Sequence, residues 1–285
     1  MRLDVHAVKN TLTVRDLFDK YSEEISPRKA GAEWEAHRLA LYGRLIGDKR
    51  LDEIDVVALS ALRDARMKEV SGSTVVRDFH LLSHVFNVAI KEFKWLTANP
   101  LKDVWRPKEN DPRERRISDR EIEQLRQVSG YLPDEPPVTE TARVQAALEF
   151  AVETGMRSGE ICKLKRENLY VSERYVHLPA EICKTRKKRD VPLSPRALAL
   201  LEQVGALGFN PVFGLADASR DALFRKTVSK TTIENLTFHD SRHEAITRLA
   251  KKLDVLDLAR MVGHANIKQL MTYYNESAAN MATRL

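Results

Sequence analysis

TFHDSRHEAITRLAKKLDVLDLARMVGHANIKQLMTYY, residues 237–274, is the stretch that decides the fold of this chain. Its apolar spacing predicts a series of short helices, at 240–252, 254–262 and 266–275. His239 and Arg242 lie three residues apart, so a helix presents an imidazole and a guanidinium on one face, where both can contact the same anion. The unpaired N–H groups of a helix start also favour negative charge. The stretch therefore indicates an anion site, with a solvated helix face as the alternative for this pair taken alone.

A second motif lies upstream, where residues 154–160 read TGMRSGE. Gly155 ends a largely apolar helix predicted over 144–152, and Arg157 then opens the next helix. The fork of N–H donors on a guanidinium there can clamp two phosphate oxygens, and Glu160 is spaced to hold it. Taken alone, the motif also fits a structural salt bridge at a helix start.

A small β-hairpin is predicted between these two motifs. Residues 175–178 (YVHL) and 189–193 (RDVPL) alternate as short strands do. A basic turn that contains Lys184, Lys187 and Lys188 separates them. The second half of the chain is therefore expected to be α+β, mainly helical with a small hairpin or sheet.

The first half of the chain carries only helical signals. Thr13 with Asp16, then Asp55, then the apolar stripe of 74–95 predict a small helical bundle. Residues 107–116, PKENDPRERR, are almost wholly charged or proline, and a capping box at Ser118 follows them. We place one domain at 1–106, a charged linker at 107–117 and a second domain at 118–285.

The composition restricts the class of protein further. With 43% apolar and 31% charged residues, the 285-residue chain matches a soluble globular protein, and its net charge of +6 suits an anionic polymer as partner. No apolar run approaches the roughly 18 residues of a membrane helix, and the first ten residues do not resemble a signal peptide. We expect a cytoplasmic location, in which Cys162 and Cys183 are buried small hydrophobic residues and not a disulfide.

In order and spacing the motifs resemble the tyrosine recombinase, or phage integrase, family. The likeness rests on 154–160, the basic hairpin that ends in Leu193, 238–243, and Tyr273 nine residues after His264. It covers the second half closely and the first half, as a helical core-binding domain, more loosely. It implies a site-specific DNA recombinase that works through a 3′-phosphotyrosyl intermediate and a Holliday junction, in integration or excision of a mobile element or prophage.

The resemblance also implies roles for individual residues. Tyr273 is the nucleophile, with Tyr274 as its neighbouring competitor, and Lys184 is the general acid, with Lys187 and Lys188 as competitors. The remaining catalytic positions hold the scissile phosphate or assist proton movement, and they are Arg157, Arg242, His239 and His264. We expect DNA-backbone contacts from Lys187 and Lys188 and from the linker arginines Arg113, Arg115 and Arg116. An ordinary solvated linker is the alternative for those arginines.

The chemistry explains these residue types. Two guanidinium groups, fixed in charge because their pKa lies above about 12, stabilise the charge that builds on a phosphodiester without a metal ion. A phenol with a pKa near about 10 must lose its proton to a base such as His239, while the departing 5′-oxygen takes one from a lysine such as Lys184. The covalent intermediate keeps the bond energy, so no cofactor is expected.

The expected partners are double-stranded DNA core sites, further copies of the chain in a homo-tetramer on DNA, and accessory directionality or bending proteins. The terminal segment 277–285 packs either on a neighbouring protomer or in cis. Only about ten residues precede the first helix, so an arm-binding domain is either absent or truncated. Two other functions remain open: a type IB topoisomerase-like enzyme that relaxes DNA as a monomer, and a non-enzymatic helical DNA-binding protein.

Overall fold

The computed structural model describes residues 11–111, 113–264, 266–274 and 282. Contacts between Cα atoms divide the chain into two units, Met1–Pro112 and Arg113–Leu285. This division falls inside the charged segment that the sequence marks as a linker. The domain limits of 1–106 and 118–285 themselves stay a prediction.

The first unit is a helical bundle, as predicted, with α1 at Val14–Glu24, α2 at Ala32–Ile46, α3 at Val56–Met67 and α4 at Gly72–Lys91. The capping boxes and caps read from the sequence at α1 and α3 are present. Helix α2 is not predicted from the sequence, because Gly31 precedes it without a side-chain cap. At the far end of this unit, the N–H of Asn110 donates to Ser73 Oγ at 2.7 Å, which ties the charged segment to the start of α4.

The second unit is mainly helical with a small sheet, as predicted. Its helices are α5 (Asp119–Ser129), α6 (Glu140–Thr154), α7 (Ser158–Cys162), α8 (Pro195–Gly205), α9 (Asp217–Val228), α10 (Asp240–Leu249) and α11 (Val255–Val262). Its three antiparallel strands are β1 (Leu169–Tyr170), β2 (Tyr175–Leu178) and β3 (Arg189–Pro192), in the order β1-β2-β3. The predicted hairpin is β2–β3, with Tyr175 opposite Pro192 and Leu178 opposite Arg189.

Helix α6 is the centre of the second core. It is buried on all sides and packs against α5, α8, α9 and α10. Its sequence is apolar around most of its circumference, which is typical of a helix with no solvent-facing side. Both cysteines lie buried and free near this core, as the sequence predicts. The core therefore fixes the start of α7 and of α10, where the charged motifs lie.

The prediction of one continuous helix over 266–275 is wrong for its described part. Two 3₁₀ turns, Ile267–Gln269 and Met271–Tyr273, occupy these positions. Their hydrogen bonds join residues three apart, from Leu270 N to Ile267 O at 2.8 Å and from Tyr273 N to Leu270 O at 2.9 Å. Buried Leu270 anchors these tight turns in a small apolar cluster.

No helix within the described ranges is long and apolar enough to cross a membrane. The terminal segment 277–285, for which we expect packing in cis or on another protomer, lies outside the described residues except for Ala282.

Candidate active site

Arg157 stands immediately before α7, just after the turn that ends α6. Gly155 makes that turn with φ of +64°, and a Cβ there would lie 3.0 Å from Val262 Cγ1, so both conformation and space require glycine. The N–H of Arg157 donates to Glu160 Oε2 at 2.9 Å, and its Nη1 donates to Glu160 Oε1 at 3.2 Å. The contact with Glu160 that the spacing predicts is therefore present.

Three arginines converge on the carboxyl end of α11. The carbonyl of residue 261 accepts a hydrogen bond from Arg189 Nε at 3.0 Å. The carbonyl of residue 262 accepts from Arg242 Nη2 at 2.8 Å, and that of residue 263 from Arg157 Nη2 at 3.4 Å. The last carbonyls of a helix have no partner within it and form the negative end of its dipole. The end of α11 therefore collects guanidinium groups from three separate parts of the second unit.

Glu160 is the carboxylate that joins two of these arginines. It is buried, with 1% of its surface exposed, and it accepts from Arg189 Nη2 at 2.6 Å as well as from Arg157. Burial alone would raise the pKa of Glu160, but the hydrogen bonds and charges of Arg189 and Arg157 lower it overall. Arg242 has backbone carbonyls as its partners, so three cations here face one ionised carboxylate and leave positive charge for an anion.

Arg242 is the most enclosed of the three arginines. Only 4% of it is exposed, and its Nη1 also donates to the carbonyl of Gly155. Burial, with repulsion from Arg157, lowers the pKa of Arg242 to about 9, so the guanidinium stays protonated at neutral pH. A charge that is already desolvated and fixed by two carbonyls needs no reorganisation to bind a phosphate.

Two of the predicted histidines, His239 and His264, lie close to this cluster. His239 is the residue before α10, and His264 follows Gly263 at the end of α11. Burial lowers the pKa of both rings, and the charges of Arg242 and Arg157 lower it further. Both rings are therefore neutral near pH 7, where an imidazole can accept a proton.

Tyr273 and Tyr274 point to different partners. The hydroxyl oxygen of Tyr273 lies 2.8 Å from His243 Nδ1, whereas the Tyr274 hydroxyl donates to the carbonyl of Leu253 at 2.9 Å. The charge of Arg242 acts on the Tyr273 phenol, although burial raises its pKa overall. The geometry thus separates two adjacent tyrosines that the sequence leaves in competition.

His243 is a site residue that sequence reasoning missed. It lies four residues after His239 on α10, and their rings meet edge to face with centroids 5.5 Å apart. Its spacing from His239 was a usable signal, because positions four apart share a helix face.

The hairpin lysines are exposed side chains next to strand β3. Lys184, Lys187 and Lys188 are all exposed in the segment between β2 and β3. Among the described side chains, no hydrogen bond or ion pair joins the Lys184 ammonium group to Arg157, Arg242 or Tyr273. The assignment of Lys184 as acid, and of the other two as DNA contacts, stays a prediction.

Each linker arginine forms an ion pair inside the second unit. Arg113 binds both carboxylate oxygens of Asp240 at 2.6 Å, Arg115 binds Glu121, and Arg116 binds Glu244 at 2.8 and 3.1 Å. Asp240 and Glu244 are buried on α10, so these contacts fasten the segment to the helix that carries Arg242. DNA contacts by these arginines stay a prediction.

No group of three or more His, Cys, Asp or Glu residues in the described part of the chain is arranged to hold a metal ion.

We expect Glu160→Gln to lower the free energy of unfolding by about 3 kcal/mol, because it removes the charge that Arg189 and Arg157 share in a buried site. Urea unfolding of the full chain, followed by circular dichroism, measures this. Because the pKa of Glu160 is lowered, its contribution is present above about pH 4.3 and is lost as the pH falls further. The difference between the variant and the original chain should therefore shrink in acid.

Glu167→Gln is the matched control, since Glu167 is exposed and lies 3.6 Å from the equally exposed Lys165. Its effect should stay below about 0.5 kcal/mol. Equal effects of the two substitutions would show that Glu160 does not hold the arginines.

The chain is similar to known proteins over most of its length. A model of the Phage integrase family matches residues 115–280. A protein of Haemophilus influenzae, provisionally named integrase/recombinase, is 33% identical over 95% of this chain and 89% of its own length. The Shufflon-specific DNA recombinase of Escherichia coli is 31% identical over 94% of this chain and 70% of its own.

A solved structure has the same fold. The lambda integrase tetramer bound to a Holliday junction superposes with a TM-score of 0.76 at 19% identity, over 93% of this chain and 82% of that one.

Proposed function

Because the chain belongs to the phage integrase family of tyrosine recombinases, enzymes of site-specific DNA strand exchange, we propose that Tyr273 forms a covalent bond with a DNA 3′-phosphate in this reaction. The observation that carries the proposal is the grouping of Arg157, Arg242 and His264 at the end of α11. The positive charge of Arg242 also acts on the Tyr273 phenol, where it favours the phenolate.

The first step is binding of the scissile phosphate. Arg157 and Arg242 hold its nonbridging oxygens through guanidinium N–H groups that are not used by Glu160 and the carbonyls. Their positions are set by the end of α11 before DNA arrives. Charge that develops on the phosphate during attack therefore meets donors that are already in place.

Strand cleavage and rejoining follow from the same groups. The Tyr273 phenol gives its proton to a neighbouring imidazole while its oxygen attacks phosphorus. The bond from phosphorus to the 5′-oxygen breaks, and that oxygen takes a proton from Lys184. Lys187 and Lys188 of the same turn, with Arg113, Arg115 and Arg116, are proposed to contact the DNA backbone. Attack by the 5′-hydroxyl of a second duplex reverses the step and exchanges strands.

Assembly and biological role are part of the proposal. The structure of lambda integrase on a Holliday junction is a tetramer, and we propose the same state for this chain on DNA core sites. Integration or excision of a mobile element or prophage in the bacterial cytoplasm, with accessory directionality or bending proteins, is the proposed role.

The test first recovers the DNA that becomes covalently attached to the protein and sequences it to define the site. Two labelled duplexes with that site are then incubated with the full chain and separated on a native gel. We expect four-way junctions and exchanged strands, because each cleaved 5′-end can attack the other duplex. Relaxation of supercoiled plasmid without any junctions would replace the recombinase proposal with that of a monomeric relaxing enzyme.

A further inference from the structure

His243 makes the closest contact to the atom proposed to attack DNA. Its Nδ1 lies 2.8 Å from the Tyr273 oxygen, with ring centroids 6.4 Å apart. The imidazole is carried on the first turn of α10, directly after Arg242. A general base must first lie within hydrogen-bond distance, about 2.6–3.2 Å, of the atom that carries the proton it removes.

The direction of this hydrogen bond follows from the surroundings of the two groups. Burial lowers the pKa of His243, with Arg242 and Arg113 adding to the effect and Asp240 opposing it. Burial raises the pKa of the Tyr273 phenol. At neutral pH the phenol is therefore protonated and donates to an unprotonated Nδ1, which leaves the ring hydrogen on Nε2.

The other groups that face His243 do not compete for this proton. The carboxylate of Asp240 accepts hydrogen bonds from Nε and Nη2 of Arg113, and the Arg242 guanidinium, which is protonated at neutral pH, donates to backbone carbonyls. His239, which the sequence suggests as the base, meets the edge or face of the His243 ring, and no hydrogen bond joins it to Tyr273 among the described side chains.

We propose that His243 is the general base that takes the Tyr273 proton during attack on the phosphodiester, a role that rests on the proposed nucleophile. The phenol O–H bond breaks and its proton moves to Nδ1 while the bond from the phenol oxygen to phosphorus forms. The bond from phosphorus to the 5′-oxygen breaks, and that oxygen receives a proton from the general acid. Rejoining returns the proton from His243 to Tyr273, so the base is regenerated without any co-reactant.

The experiment measures single-turnover adduct formation on a nicked suicide duplex, whose short 5′-ended strand diffuses away after cleavage. We expect His243→Gln to slow this step by about 10²- to 10⁴-fold, the usual contribution of a general base. His37→Gln is the control, since His37 is an exposed residue of α2 whose ring bonds only the carbonyl of Glu33 among the described contacts. A rate for His243→Gln equal to that of His37→Gln would overturn the proposal.

A second measurement separates proton transfer from simple positioning. Tyr273 is replaced by a ring-fluorinated tyrosine, whose more acidic phenol depends less on a base. We expect this replacement to restore much of the rate of His243→Gln, and added imidazole to restore part of the rate of His243→Ala. Absence of both rescues would show that His243 only positions the ring and would overturn its role as a base.

The experiment distinguishes a wrong assignment of the nucleophile from a wrong assignment of the base. An adduct that still forms with Tyr273→Phe would remove the nucleophile on which the inference rests. An adduct that is lost with Tyr273→Phe but forms at full rate with His243→Gln would overturn the base alone.

Discussion

Tyr273→Phe is expected to abolish the SDS-resistant adduct between this protein and DNA, because it removes the only atom of that side chain that can bond to phosphorus. The ring remains, and with it the packing against the cluster of Ile246, Leu258 and Val262. Folding should therefore be preserved. The measurement is denaturing gel electrophoresis after incubation with a labelled suicide duplex.

Tyr274→Phe is the matched control for this result. The Tyr274 hydroxyl donates to the carbonyl of Leu253 at 2.9 Å, so its loss removes one structural hydrogen bond, worth about 1 kcal/mol. The adduct should persist at nearly its original yield. The reverse pattern, with adduct lost in Tyr274→Phe and kept in Tyr273→Phe, would assign the nucleophile to Tyr274.

Arg242→Lys should slow adduct formation by about 10²- to 10³-fold, which is the effect of losing one fixed donor to a developing oxyanion. Lysine keeps the charge but has no planar fork, so it cannot reach the carbonyls of Gly155 and Val262 and still face a phosphate. Single-turnover kinetics measure the rate, and thermal unfolding by circular dichroism checks that the variant is folded.

Arg260→Lys provides the comparison on neighbouring helix α11. Its guanidinium is exposed and forms an ion pair of 3.3 Å with Asp257, so its replacement should leave the rate unchanged. If Arg242→Lys reacts as fast as Arg260→Lys, then Arg242 is a structural residue and not part of the phosphate clamp.

Local signals predict much of the fold, because capping and periodicity act within a few residues. The capping boxes at Thr13 and Ser118 and the proline start of α8 all lie where the sequence places them. Helix α2 is not predicted because Gly31 offers no side-chain cap. Strand β1 is not predicted because its two residues are too few to show an alternation of apolar and polar side chains.

The candidate site also has residues that local motifs predict and contacts that they do not. Arg157, Arg242 and Tyr273 could be selected from ordered motifs. The structure brings the two arginines to one helix end and the Tyr273 hydroxyl to His243, the residue after Arg242. The part played by Arg189 could not be predicted, because its carbonyl partner at Met261 is 72 residues away and carries no side-chain signal. The carboxylate partners of Arg113 and Arg116 are similarly remote, at Asp240 and Glu244.

The bond from Asn110 to Ser73 and the ion pair of Arg113 with Asp240 also limit the reach of the connection between the two units. An eleven-residue linker could extend by roughly 36–40 Å, whereas three peptide steps from Asn110 to Arg113 extend by only about 11 Å. The charged segment is therefore held at Asn110 by the first unit and at Arg113 by the second, so the length of chain between these two attachments is three peptide steps and not eleven residues.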